Sequence, residues 1–215
     1  MTEPGIAAWQ PSEYLKFGKE RTRPAVDIVS RIDLPTVRRI LDIGCGLGNS
    51  TAVLRSRWPN ARITGVDSSS EMIQKARADY PQGDWAVADF SSYRPDGWFD
   101  LVFSNATLHW IPDHPALIRK MFEMTAKGGA VAAQVPSILD SPLHRAARLT
   151  AEEPEWKDIL RGAADVLTYH PEALYYEHLS RHSGQSGDRG RSGRSGDGGR
   201  GGGGRDSALS SRVEL

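Results

Sequence analysis

One cysteine, Cys45, stands in 215 residues. A single thiol excludes an intrachain disulfide and suits a reducing compartment. Charge of either sign is in no excess: 27 basic and 27 acidic side chains give a formal net charge of +0. That balance argues against a dominant polyanion-binding role, though local patches stay open. No apolar run is long enough to span a bilayer. The first residues, M-T-E-P-G, lack the basic and apolar regions of a secretion signal. The expectation is a cytoplasmic protein with neither a nucleic-acid nor a membrane partner. Apolar residues make up 39% of the chain, less than the usual share, yet the length suffices for one domain with a sizeable core.

Proline is missing from residues 181–215, where glycine is dense: 11 of 35, with seven arginines against four acids. Gly184, Gly187, Gly190, Gly193 and Gly196 recur every third residue, but a run this short and without proline is not collagen. Such a composition buries too little apolar surface to order itself. A disordered Gly/Arg-rich tail over 181–215 is therefore expected.

The informative stretch is Arg38 to Asn49, R-R-I-L-D-I-G-C-G-L-G-N. Ile40, Leu41 and Ile43 give a short strand signal. Gly44, Gly46 and Gly48 follow, and Asn49 or Ser50 can cap a helix through Leu54. Strand, glycine turn and helix start bring ligand atoms close to backbone N–H groups. A tight turn without a ligand is the alternative. The spacing is neither a phosphate loop nor a strict G-x-G-x-x-G. Asp42 at the strand end would repel a pyrophosphate and favour an ammonium or sulfonium, so the turn suits a zwitterionic nucleoside better than a dinucleotide.

L-D-I-G-C-G-L-G-N-S-T at 41–51 resembles motif I of the class I S-adenosylmethionine-dependent methyltransferases. W-Q-P-S-E-Y-L-K-F at 9–17, E-R-T-R-P-A at 20–25, I-T-G-V-D-S-S at 63–69 and N-A-T-L-H-W-I-P-D-H at 105–114 are similar to the trans-aconitate 2-methyltransferases among them. The resemblance covers about residues 8 to 179. It implies an α/β, Rossmann-like fold with a mostly parallel sheet and flanking helices. It also implies S-adenosylmethionine as cofactor, and methyl transfer to a carboxylate of trans-aconitate or a similar small polycarboxylate, giving a monomethyl ester. Another small-molecule methyltransferase, a nucleotide-dependent oxidoreductase, or a shortened cofactor-binding protein with little catalysis are the rival readings.

Taken in order, 1–36 reads as an N-terminal helical cap. One helix starts at Ser12 with Tyr14, Leu15 and Phe17 and stops at Gly18; a second runs from Pro24 to Arg31. Arg21 and Arg23 lie in the turn between them. They could clamp a polycarboxylate through paired N–H groups, or form a solvated basic turn bonded to Glu20 or Asp27.

Residues 37–136 read as the cofactor-binding core. A second strand, 61–66, ends at Asp67, an acid placed to accept hydrogen bonds from ribose hydroxyls or to cap the next helix. Ser68 and Glu71 form a capping box for that helix, which carries Met72, Ile73 and Ala76. A third strand, 85–88, ends at Asp89-Phe90, where an acid and an aromatic ring can hold adenine; otherwise Phe90 is core. A fourth, 99–103, leads into a loop with Asn105, His109 and Trp110, where open parallel sheets place their sites. Pro112 to Pro115 forms a rigid turn, 116–125 a helix ended by Lys127-Gly128-Gly129, and 130–135 a fifth strand.

The resemblance assigns the cofactor to Asp42, Gly44, Gly46, Gly48, Asp67, Ser68, Met72, Asp89, Phe90 and Asn105, and the acceptor to Arg21, Arg23, His109 and Trp110. Glutamine stands at the place of His109 in the family, which speaks against an obligatory base there. No metal and no catalytic base is expected, because a carboxylate is already an anionic nucleophile. Residues 137–180 read as a helical acceptor-side insertion, in which His144 and Arg145 are carboxylate contacts or plain surface, and Tyr169, Tyr175 and Tyr176 are packing residues. The family closes its sheet with two further strands, and 181–215 offers neither. The C-terminal strands are thus missing or altered, leaving a monomer or a homodimer joined at the edge of the fifth strand.

Overall fold

Strands whose successive residues are all apolar need cover on both faces, and this sheet has it. The computed structural model describes residues 18–136, 141–160, 168–182 and 212–214. In chain order these form α1 (Gly18–Arg31), β1 (Arg39–Ile43), α2 (Asn49–Arg57), β2 (Arg62–Asp67), α3 (Ser70–Asp79), β3 (Asp84–Val87) and β4 (Phe99–Asn105). A 3₁₀ turn (Leu108–Trp110), α4 (His114–Glu123), β5 (Thr125–Gln134), α5 (Pro142–Glu152), α6 (Pro154–Lys157), α7 (Glu172–His182) and β6 (Arg212–Glu214) follow. The sheet order is β3-β2-β1-β4-β5-β6, and every pairing is parallel. Strands β1 to β5 make the Rossmann-like body expected from the sequence, and the three-residue β6 adds to its edge.

Side chains alternate between the two faces. On one, Ile40, Leu101, Phe103, Ala130 and Ala132 pack with Ala25, Ile28 and Val29 of α1 and Leu54 of α2. On the other, Leu41, Ile43, Val102 and Val131 pack with Leu117, Ile118 and Met121 of α4 and with Tyr175 and Leu179 of α7.

The structure corrects several boundaries. Gly18 lies in α1, and Pro24 lies inside it. Ala25, Ile28, Val29 and Ile32, all buried, make an i, i+3, i+4, i+7 stripe whose burial outweighs the one backbone bond proline removes. Arg21 and Arg23 are therefore helical, not in a turn. The helix expected from Ser12, with Tyr14, Leu15 and Phe17, lies outside the described residues.

Pro115 sits in the first turn of α4, where its missing N–H costs nothing, and Asp113 caps the helix by accepting the Ala116 N–H at 3.0 Å. Lys127-Gly128-Gly129 belongs to β5 and ends no helix. The β4–β5 register shifts between Phe99 and Leu101, Gly128 has φ +80°, and a Cβ on Gly129 would meet the Asp100 carbonyl at 2.6 Å; this is a bulge that needs glycine. β4 runs on to Asn105, so Ser104 and Asn105 are strand residues.

The tail also differs. Arg181 and His182 are helical, and Arg212, Val213 and Glu214 pair with Ala130, Val131 and Ala132; the rest of the expected tail, 183–211 and 215, is outside the described residues. The fifth strand is thus not the open edge. Truncation after His182 is expected to speed hydrogen exchange at the β5 amides that face away from β4. Unchanged exchange there would show that β6 does not pair in solution.

Candidate active site

The carboxyl ends of β1, β2 and β4 converge on the glycine turn. Gly44, Gly46 and Gly48 have φ of +66°, +53° and +89°, the left-handed region that glycine enters without a Cβ penalty. The protein itself fills two of these positions. A Cβ on Gly44 would lie 2.1 Å from Thr107 Oγ1, and one on Gly48 would lie 2.9 Å from the Tyr80 ring, whereas the Cβ direction of Gly46 meets nothing within 4 Å. The turn is pinned to β2: Gly44 N–H donates to the Val66 carbonyl at 2.8 Å and Gly46 N–H to Asp67 Oδ2 at 2.9 Å.

Asp42 is fully buried. Its Oδ2 accepts the Ser50 hydroxyl at 2.8 Å and the Thr51 hydroxyl at 2.5 Å, at the start of α2. Its Oδ1 is buried without a partner. Burial pushes the carboxyl up to about 6 against the pull of the two hydroxyls, and the Asp67 charge adds to the rise. Burial and both acids push the Cys45 thiol well above its usual range, so it is no nucleophile.

Asp67 keeps both expected possibilities in view, since it also caps: Oδ1 accepts the Ser69 N–H at 2.9 Å. The helix cap is Ser69, not Ser68. Ser69 Oγ accepts the Met72 N–H at 3.2 Å and donates to Glu71 Oε2 at 3.0 Å, one residue out of step with the expected box. Ser68 is exposed, and Met72 is buried. Asp89 is exposed and lies beside the end of β2, where Ala88 N–H donates to the Asp67 carbonyl at 2.9 Å. Its Oδ1 accepts the Ser91 N–H at 2.7 Å, and that bonding holds its pKa below the usual carboxylate value. Phe90 is 4% exposed and sits in the core, with Lys120 Nζ 4.7 Å from its ring centre and bonded to its carbonyl.

Asn105 closes β4 in register with Gln134 of β5, and both carbonyl oxygens, Asn105 Oδ1 and Gln134 Oε1, are buried without partners. The backbone turns sharply after them: Ala106 has φ +52°, and its N–H donates to the Gln134 carbonyl at 2.9 Å. His109 is buried with Nδ1 unpartnered. Its ring stacks on Tyr169 at 5.5 Å and 9°, lies 5.4 Å from Trp110, and through Tyr169 meets His144 at 6.2 Å. The Thr168 N–H donates to the His109 carbonyl at 2.8 Å. The helical segment after β5 therefore packs on this loop.

Arg23 stands apart. Its side chain is 83% exposed and lies 3.9 Å from Asp27. Sequence reading passed over Thr107 and Gln134, and linked Asp42 to neither Ser50 nor Thr51. The eight- and nine-residue spacing from Asp42 was the only signal for the last pair.

Open space at Gly46, an orphaned carboxylate oxygen in a turn without lysine or arginine, and strand-end acids suit a cationic, hydroxyl-rich ligand and not a pyrophosphate. Residues 40–129 match the family model described as a methyltransferase domain. Over 180 residues the chain is 42% identical to trans-aconitate 2-methyltransferase of Azoarcus sp. (strain BH72), covering 84% of this chain and 70% of that one. The chain belongs to the class I S-adenosylmethionine-dependent methyltransferases. A second relative, trans-aconitate 2-methyltransferase of Enterobacter sp. (strain 638), is 45% identical over 69% of this chain and 59% of its own length. In fold, this methyltransferase is similar to the S-adenosylmethionine-bound CalS10, an amino pentose methyltransferase from Micromonospora echinaspora. Their TM-score is 0.52 at 24% identity, over 60% of this chain and 57% of that one. S-adenosylmethionine is the cofactor, and the activity is methylation of a small molecule. Among the described residues, no helix is long and apolar enough to cross a membrane.

Two buried groups of this methyltransferase titrate in opposition. Burial and the nearby His114 push His109 down to about 4 from an ordinary 6.5, so it is neutral at pH 7. Between those values the unfolded chain holds the extra proton. His109's contribution to stability is full above about pH 6.5 and is lost as pH falls toward 4. Asp42, raised to about 6 from 3.8, binds its proton more tightly when folded; its contribution is full below 3.8 and is lost as pH rises through 6. His109→Gln removes the His109 contribution and leaves those of the other groups, Asp42 among them, in place. The variant should gain about 2 kcal/mol relative to the parent between pH 7 and 4, read from urea melts. A constant difference would reject the assignment.

Proposed function

We propose that this methyltransferase esterifies one carboxylate of trans-aconitate or a similar small polycarboxylate, giving a monomethyl ester. The likeness over 84% of the chain to an enzyme of that name carries this reading. A carboxylate is ionised at neutral pH and needs no base. A neutral, stacked His109 agrees with a pocket that orients and desolvates rather than abstracts a proton. When bound, the cofactor supplies an electrophilic methyl on a sulfonium.

The residues divide by position. The glycine turn 44–48 with Asp67 would hold the nucleoside, Asp89 with the buried Phe90 would border the base, and Asp42 and Asn105 would face the amino-acid portion. Ser68 and Met72 would contribute through the start of α3, the first as an exposed rim and the second as support. His109 and Trp110 would form the acceptor wall.

Arg21 and Arg23 stand two residues apart in α1, at positions about 200° apart around the helix axis. α2 leaves the glycine turn and is followed by Trp58, whose Nε1 donates to the Leu34 carbonyl at 3.3 Å, so the end of α1 lies at the far rim of the sheet. That places the first turn of α1, with Arg21, toward the strand carboxyl ends. We assign the distal-carboxylate clamp to Arg21. Arg21→Gln should raise the acceptor KM roughly tenfold or more, while Arg23→Gln should change it by less than about threefold; equal effects would reverse the assignment. The reading as a whole is tested with labelled cofactor and a panel of small acids, phenols and amines, with products identified by mass. An ester on trans-aconitate is expected. Methyl transfer to other acceptors alone, or cofactor binding without transfer, would overturn it.

A further inference from the structure

We infer that Gln134, at the carboxyl end of β5, selects the acceptor by donating its side-chain N–H to the carboxylate that receives the methyl. This inference rests on the carboxyl methylation proposed above. The sheet order places the residues that suit the nucleoside on one side: the glycine turn follows β1, Asp67 ends β2, and Asp89 lies just past β3. β4 and β5 lie on the other side of β1. A molecule meeting the methyl group therefore approaches over the ends of β4 and β5, where Asn105 and Gln134 are paired.

Gln134 is partly exposed, yet its Oε1 is buried with no donor. With the oxygen buried, the NH₂ is the end of this partly exposed amide left to meet a ligand. An amide NH₂ donates to an anion and repels an ammonium. Its backbone is held in place: the Gln134 carbonyl accepts the Ala106 N–H at 2.9 Å, at the point where Ala106 takes a left-handed φ of +52°. Because the amide is neutral, it adds a donor beside the acceptor without adding a charge that the cationic cofactor would oppose.

The test uses the full chain loaded with S-adenosylhomocysteine, and trans-aconitate as the probe. Gln134→Glu keeps the shape but replaces the donor with a negative charge, and Gln134→Leu removes both polar atoms. Calorimetry should show trans-aconitate binding weakened about thirtyfold or more by Glu and about tenfold by Leu. S-adenosylhomocysteine should bind all three proteins within threefold. Steady-state methylation should show KM rising far more than kcat falls. Thermal melts establish that each variant is folded, and if Glu is not, Leu carries the comparison. Equal acid binding by parent and variants overturns the role of Gln134 and leaves carboxyl methylation standing. So does tighter S-adenosylhomocysteine binding by Glu, which would place the amide on the cofactor's ammonium. A parent protein that binds and methylates no acid overturns both.

Discussion

Gly44→Ala is expected to lower stability by about 2–4 kcal/mol. Two costs add. An alanine held at φ +66° sits in the left-handed region, and its Cβ would be built 2.1 Å from Thr107 Oγ1 and 2.2 Å from Thr107 Cγ2. Thr107 cannot simply turn away. Its one hydroxyl proton is shared between the Gly44 carbonyl at 3.3 Å and the Asn105 carbonyl at 3.1 Å, so moving it disturbs the end of β4 as well. Gly46→Ala is the matched control. It has a similar φ of +53° but open space around the new methyl, so its stability cost should stay near 1 kcal/mol. Its cofactor affinity should fall instead, because the methyl would occupy the space the ligand needs. Denaturant melts and calorimetry with S-adenosylhomocysteine on the two variants separate the effects. If Gly44→Ala were no less stable than Gly46→Ala, the packing of Thr107 into the turn would be wrong.

These glycines explain why the core of the fold was legible from the chain alone. A strand, three glycines and a helix are local, and glycine at left-handed φ has few substitutes. The same reasoning failed where glycine and proline serve tertiary packing. Gly128 and Gly129 look like a helix stop, but they make room for a bulge against Asp100, a contact no local pattern shows. Pro24 looks like a helix start, and the buried stripe of α1 overrides it. Asn105 looks like a loop residue because it is polar, yet a parallel ladder accepts it at the strand end beside Gln134.

The candidate site divides in the same way. Asp42 and Asp67 were visible because each ends a strand before a helix. What they do for the protein itself was not, since Asp42 is tied to Ser50 and Thr51, and Asp67 to Gly46. Contacts across the fold were invisible for a stronger reason. His109 against Tyr169, and His114 Nδ1 at 2.7 Å from the Tyr175 hydroxyl, join segments 60 or so residues apart that show no periodicity linking them. The edge strand 212–214 lies beyond a glycine-rich stretch that, by composition, gives no hint of a pairing partner.

Asp67→Ala is expected to weaken S-adenosylhomocysteine binding by about 1–3 kcal/mol, roughly fivefold to over a hundredfold. In the free protein the carboxylate already accepts the Gly46 N–H and the Ser69 N–H, both at 2.9 Å, one on each oxygen. Each carboxylate oxygen has a second lone-pair direction, so the same group can hold the turn, begin α3, and still accept from ribose hydroxyls. Alanine removes all three functions. Loss of the two backbone bonds alone would lower the stability of the free protein, and that drop could be mistaken for a ligand effect. The ligand-induced rise in melting temperature distinguishes them, because it depends on the ligand concentration relative to its dissociation constant. If Asp67 only braces the turn, the free protein melts earlier but saturating ligand restores a nearly normal increment. If Asp67 also receives the ribose, the increment itself collapses. Asp67→Asn sharpens the distinction. It retains one carbonyl oxygen for one of the two backbone donors, so its melting temperature should fall between those of parent and alanine variant, while its amide can accept only a fraction of the ribose bonds. An S-adenosylhomocysteine affinity within threefold of the parent in both variants would reduce Asp67 to a structural brace.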